Sequence, residues 1–259
     1  MFSPKASLIV TVPDVVDLYG NVGMGFHSND ARGVVREKDA VTPITRGIGG
    51  ELGARANVLG VNVPAAAFIL GLEGETVWVG DEGTTELRGP TLREGVELEA
   101  DSALGADWLR GDVDVNLTRA TFIETDEPVP LAPTLIADAG VSVLHPIGVH
   151  GRIGGVYVGD RAAIEDESLT AAGFLRLDGS VGFKNDTFAV DLDVQNLLNT
   201  EWREAQFANV SRLADEISPA DCAPGTRAVG AGDDFEGCED VHFTPGAPLN
   251  GRLTFTIFF

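Results

Sequence analysis

Basic residues are scarce in this chain: eighteen lysines and arginines stand against forty aspartates and glutamates, a formal charge of -22 over 259 residues. A surface of that sign repels phosphate backbones, which attract proteins through Lys and Arg with release of counterions, so nucleic acid is excluded as a partner. The acidity itself has two readings, solubility in a saline habitat or an acidic vestibule that concentrates cations. Cysteine is nearly absent. Cys222 and Cys238 lie in one Gly- and Asp-rich stretch, and two thiols do not make a zinc cage. They fit a local disulfide in an oxidising compartment, or else two inert thiols.

Long apolar runs are missing too. The longest nearly apolar one, Val63 to Leu72, contains Pro64 and falls well short of the ~20 residues of a membrane helix. If the chain enters a bilayer, it does so as strands. The opening Met1-Phe2-Ser3-Pro4-Lys5 shows no basic segment followed by an apolar one, so no export signal is expected in this chain. His27, His145, His150 and His242 are scattered, with no Ser or Cys beside them in a nucleophile motif. The Gly-rich Arg46-Gly47-Ile48-Gly49-Gly50 lies in alternating sequence rather than between a strand and a helix, where a phosphate loop belongs. No catalytic residue, metal site or cofactor is assigned.

What the chain does have is period-two alternation, repeated many times. Phe188, Val190, Leu192 and Val194 alternate with Ala189, Asp191, Asp193 and Gln195, and Leu253, Phe255, Ile257 and Phe259 with Thr254 and Thr256. Leu109, Val113, Val115 and Leu117 alternate with Arg110, Asp112, Asp114 and Asn116. Strand side chains point to alternate faces, so each segment has one apolar and one polar side. Charge this dense is intolerable unpaired in a dry core, so the polar face meets water. With the weaker segments near residues 5–12, 62–72, 134–144 and 149–159, the count is about eleven strands. Their lengths match the ~9–11 residues of a tilted membrane strand.

The connectors alternate short and long. Short turns are expected at Val12-Pro13-Asp14, Leu59-Gly60, Ser102 to Ala106, His145 to Gly148 and Lys184-Asn185-Asp186. Long polar loops lie between them, at Ser28 to Pro43, Glu73 to Leu92, Ile123 to Pro133, Asp160 to Thr170 and Thr200 to Asn250. Outer-membrane barrels sort their connectors this way, with tight periplasmic turns and long external loops. The fold expected over residues 1–259 is all-β, an antiparallel transmembrane β-barrel segment. A passive porin-like channel and a soluble β-sandwich binding module are the alternatives.

On that frame, Glu97 with Glu99, Asp112 with Asp114 and Asp191 with Asp193 share strand faces with their Cβ atoms ~7 Å apart. They read as a hydrated lumen wall, or as contacts for a cation or substrate, rather than as acid/base dyads. His27, Asn29, Asp30, Arg32, Asp81 and Glu82 fall at the external rim, where loops carry recognition; Asn and Asp there also pin turns. The acids Asp233, Asp234, Glu236, Glu239 and Asp240 read as a solvated loop or a weak divalent-cation site.

Several segments resemble the C-terminal barrel of TonB-dependent outer-membrane receptors: Leu18-Tyr19-Gly20-Asn21 running into Gly25-Phe26-His27-Ser28-Asn29-Asp30-Ala31-Arg32, then Val77-Trp78-Val79-Gly80-Asp81-Glu82-Gly83-Thr84-Thr85-Glu86, Arg93 to Glu99, Val194-Gln195-Asn196-Leu197-Leu198-Asn199, and the closing Phe258-Phe259. The resemblance runs over nearly the whole chain. It implies half of a barrel of about twenty-two strands around a plugged lumen, in the outer membrane, capturing a scarce small-molecule ligand such as a siderophore, metal chelate or cobalamin-like molecule. Its implied partners are outer-membrane lipid, a plug domain and the remaining barrel strands, and a TonB energy-coupling complex acting through an N-terminal part. Plug, coupling box and signal are expected upstream in a longer reading frame in which Met1 is an internal start.

Overall fold

The computed structural model describes residues 2–29, 34, 35, 42–79 and 84–259. The first strands are β1 (Lys5–Val12), β2 (Val16–Ser28), β3 (Ile44–Val58) and β4 (Val61–Leu72), followed by a loop hairpin of β5 (Glu75–Val79) and β6 (Thr84–Arg88). Then come β7 (Thr91–Ala106), β8 (Leu109–Phe122), β9 (Leu135–Leu144), β10 (Val149–Val158) and the short pair β11 (Arg161–Ala162) and β12 (Thr170–Ala171). β13 (Phe174–Lys184) and β14 (Phe188–Gln195) are separated from β18 (Asn250–Ile257) by a loop that holds β15 (Arg203–Ser211), β16 (Arg227–Val229) and β17 (Gly237–Pro245). Eleven of these strands form one sheet in the order β1-β2-β3-β4-β7-β8-β9-β10-β13-β14-β18, every pair of them antiparallel. Each wall strand thus pairs with its neighbour in sequence, and the remaining strands decorate the long loops.

Register carries one face unbroken across the sheet. Val10 pairs with Leu18, Leu18 with Ala54, Ala54 with Ala65 and Ala65 with Leu98. The row continues through Val115, Ala137, Tyr157 and Leu175. All nine residues are apolar or amphipathic. One parity over, Arg110 pairs with Ser142, Ser142 with Arg152, Arg152 with Ser180, Ser180 with Asp193 and Asp193 with Arg252. A one-residue slip in any pair would swap the faces from that strand onward, so the agreement over eleven strands is a strong constraint. No described residue covers the apolar face: Leu52 is 73% exposed, Leu253 72% and Phe255 62%.

The tight turns follow local chemistry. Leu59 and Gly60 both have positive φ, 56° and 87°, the two-residue geometry that matches strand twist, and Asn57 Oδ1 accepts the Gly60 amide at 3.0 Å. The turn expected over Ser102 to Ala106 sits later. β7 runs on to Ala106 through a register shift between Ala103 and Ala106, with Gly105 at φ 82°. The small residues there make a bulge, and Asp107-Trp108 makes the turn.

The long-loop end is built differently. β15, β17 and β16 form their own three-stranded sheet, tied by a disulfide between Cys222 and Cys238 with Cα atoms 5.6 Å apart. Ala120, Phe122 and Val129 form one buried cluster with Ala132 against it. Ala163, Leu169 and Ala171 form another, packed by Leu131, Ile164, Ala208 and Val241. The buried Gln206 clamps the last long loop to the one before it, its Oε1 accepting the Ala172 amide at 3.0 Å and its Nε2 donating to the Ala172 carbonyl at 2.8 Å. Where β14 ends, Asn196 is 1% exposed and fully engaged. Its Nδ2 donates to the carbonyls of Thr200 and Ala247, its Oδ1 accepts the Thr200 amide, and its own amide reaches Asp178.

Candidate functional site

The polar face concentrates its charge on β7 to β14. Cross-strand register places Glu99 opposite Asp114 and Asp114 opposite Asp138, and like charges so placed repel. Carboxylate oxygens of Asp112, Asp114 and Asp138 lie within 4.8 Å of one another. Arg152 answers them. Its guanidinium donates to both oxygens of Asp112, at 2.5 and 2.6 Å, to Asp138 at 3.2 Å and to Ser142 Oγ at 3.1 Å. A bidentate fork is the strongest form of such a contact.

Glycine makes room for these groups. A Cβ at Gly140 would run into the Arg152 guanidinium, one at Gly182 into His150, and one at Gly53 into the Tyr19 ring. Large polar-face side chains therefore lie flat on glycines of the neighbouring strand, and the wall stays smooth.

Each expected wall residue has a place. Asp112 is held by Arg152. Asp191 Oδ1 meets His150 Nε2 at 2.7 Å, and Asp193 meets Arg252 at 3.3 Å. Glu97 accepts from Asn116 at 2.8 Å. Glu97, Glu99 and Asp114 line a recess of about 350 Å³ with Tyr19, Asn116 and Asp138. Most of these pairs are partly exposed, so each is worth roughly 0–1 kcal/mol and is easily exchanged for water or a passing polar group. Contacts of this kind suit a face open to water.

At the rim, His27 is exposed at the end of β2, opposite Thr45. Asn29 Nδ2 donates to the Thr42 carbonyl at 2.6 Å and to Thr45 Oγ1 at 3.1 Å, closing the base of its loop. Asp30, Arg32, Asp81 and Glu82 lie outside the described residues. The acidic loop is held by local bonds: the amides of Ile217 and Ser218 and the Ser218 hydroxyl all reach Asp221 Oδ2. Those bonds, the hydroxyl's first, hold the Asp221 carboxyl below the usual carboxylate range.

Sequence reasoning did not single out Arg152, Asp138 or His150. A cation at the same parity as His150 in the Gly-rich His150-Gly151-Arg152-Ile153-Gly154-Gly155 was the available signal.

No protein-family model matches the sequence, and no curated protein matches it. Solved structures do. The ferric yersiniabactin uptake receptor from Yersinia pestis is 20% identical, with a TM-score of 0.65 over 99% of this chain and 37% of that one. The closed form of the ferric-catecholate import receptor from E. coli K12 is 16% identical, with a TM-score of 0.62 over 98% and 34%. A ferric citrate transporter in its unliganded form is 14% identical, with a TM-score of 0.63 over 98% and 37%. The chain thus spans little more than a third of the length of these structures. Its fold is that of part of the barrel of a TonB-dependent outer-membrane receptor.

Proposed function

We propose that this chain is the C-terminal half of the barrel of an energy-coupled uptake receptor, which takes a scarce ligand such as a siderophore, metal chelate or cobalamin-like molecule across the outer membrane. The observation that carries the reading is the apolar face kept in parity through all eleven wall strands and left uncovered by protein. In water such a face would aggregate; in lipid it is the required surface.

Strand parity defines what completes it. With eleven antiparallel strands, β1 and β18 run in the same direction, so joining them directly would put a parallel seam in the wall. An odd number of further strands closes the sheet antiparallel throughout, and lipid satisfies neither open edge. The remaining strands of the receptor supply that closure, and a plug fills the lumen against the charged wall. A TonB complex acts through the N-terminal part, while the external loops capture the ligand. The barrel supplies walls and recognition, without covalent chemistry.

The test is uptake of a labelled ferric chelate by metal-starved cells that express the complete receptor, against cells in which the coding sequence of this chain is deleted. Loss of uptake on deletion with intact energy coupling is the expected result. A detergent-free, compact monomer of the chain, or a steady open-channel current from it in planar bilayers, would overturn the reading.

A further inference from the structure

The apolar run Val63 to Leu72 lies in β4 and breaks the two-faced pattern of the wall. From Pro64 to Leu72 neither parity carries a charged or hydrogen-bonding side chain. Ala65, Ala67 and Ile69 lie on the uncovered apolar face, while Phe68, Leu70 and Leu72 lie on the face that carries charge farther along the sheet. A strand apolar on both sides has the pattern of one covered on both sides.

Beside these residues the floor is glycine. Register sets Gly23 opposite Gly49 and Gly49 opposite Leu70; in the next row Gly25 lies opposite Gly47 and Gly47 opposite Leu72. Leu70 and Leu72 lean over Gly49 and Gly47, and a trough of about 630 Å³ runs from them to Lys5 and Ser7 of β1. Glycine inside a strand suits close approach by another backbone.

Across β9, β10, β13 and β14 the same face is finished differently. Arg152 is matched by Asp112 and Asp138, His150 by Asp191, Arg176 by Asp178, and Asp193 by Arg252 of β18. These charges have their partners within the wall, so water entering along this sector leaves them paired. Water entering along the trough wets Phe68, Leu70 and Leu72, at a cost proportional to their apolar area. A body inside the lumen therefore parts from the charged sector more readily than from the trough.

What lies outside this chain points to the occupant. The chain spans 37% of the length of the yersiniabactin receptor and 34% of the catecholate receptor. The trough reaches β1, an open edge of the sheet where further strands of the receptor would pair. We infer that the trough seats the plug of the same receptor through an apolar ridge and stays closed during transport, while the cargo path opens along the charged sector. The inference rests on the uptake reading.

The experiment follows labelling of single cysteines by a membrane-impermeant maleimide in cells expressing the complete receptor, with the inner membrane energised or collapsed by an uncoupler. Leu70→Cys and Leu72→Cys report the seat, and Ser180→Cys and Gln195→Cys the charged sector. The seat positions should label at least about ten-fold more slowly than the sector positions, and energy should speed only the sector. A Cβ at Gly25 meets no atom within 4 Å, so Gly25→Val enters the trough with little strain on the wall. It should raise Leu70→Cys labelling about ten-fold and leave Ser180→Cys unchanged. A photoactivated benzophenone side chain in place of Leu72 should cross-link to the same polypeptide outside this chain.

The inference falls if Leu70→Cys labels as fast as Ser180→Cys, if energy speeds the seat as much as the sector, or if the benzophenone joins to lipid, a second copy or bound cargo instead. Should Leu70→Cys fail to insert, Leu72→Cys carries the comparison. Fast labelling of the seat in cells that still take up the ferric chelate overturns the seat and leaves the uptake reading standing. Quenching of both sets of positions from lipid would remove both.

Discussion

The strand wall and the loop cap solve opposite solvation problems with one chain. In the wall Leu52, Leu253 and Phe255 are 73%, 72% and 62% exposed, whereas in the cap Leu169, Phe122 and Ala171 are 3%, 6% and 0% exposed. The cap has an ordinary apolar core, a disulfide and buried polar groups that are mostly satisfied, as a protein in water requires. Across β8 to β10 the wall gathers charged groups on the opposite face, where Arg152, Asp112 and Asp138 meet. The difference shows that hydrophobic residues here do not gather at a single centre, and on the proposed reading lipid stands in for the core along the wall.

That contrast can be broken by moving side chains between the two regimes. The largest effect is expected in the cap: Phe122→Ala removes a buried ring and should cost ~3–5 kcal/mol of local stability. Leu253→Ala on the uncovered face should cost less than about 1 kcal/mol in a bilayer, because no cavity forms. Hydrogen exchange of the two regions in lipid reads both. A smaller effect, roughly 2–4 kcal/mol, is expected for Val115→Arg, which puts a charge on the apolar face. Asn116→Arg, one residue along on the polar face, should be nearly neutral. Equal urea midpoints for the two in vesicles would remove the distinction between faces.

Glycine positions sharpen the picture within the wall. Gly140→Val would drive a side chain into the Arg152 guanidinium, with an expected loss of about 1–3 kcal/mol from overpacking. Gly25→Val meets open space and should change little in the same unfolding assay. The smallest effect is a pH response confined to the cap. Asp221 has its pKa lowered in the folded loop, so its capping contribution is present above the unfolded value and is lost as pH falls through the folded one. The capped turn at Ser218–Asp221 should therefore persist at mildly acidic pH and open only below the usual carboxylate range, as read by amide chemical shifts. Opening near neutral pH would contradict the assignment.

The wall was legible in the sequence because alternation is a local signal: parity in Val113 to Leu117 or Phe188 to Val194 fixes which side each residue takes, whatever its distant neighbours. The loop order was legible for the same reason. The turn near residue 105 was misplaced because small residues at Ser102 to Ala106 suit a bulge as well as a turn. The cap was not legible. Phe122 ends β8 and Val129 lies in the loop after it, Leu169 and Ala171 flank Thr170 in the next long loop, and only tertiary contact gathers them into two buried clusters. Arg152 was missed because its partners, Asp112 and Asp138, are brought to it by register across β8, β9 and β10, which no single segment encodes.

Alternate water access along one strand tests the account most directly. Single cysteines placed in turn at positions 112 to 117 of β8 can be probed with a membrane-impermeant maleimide and, separately, with lipid-borne quenchers, since Cys222 and Cys238 are bonded to each other and silent. Positions 112, 114 and 116 should react from water, while 113, 115 and 117 should be unreactive and quenched from lipid. Uniform labelling of all six, or labelling that favours the apolar positions, would contradict a wall with lipid on one side and water on the other.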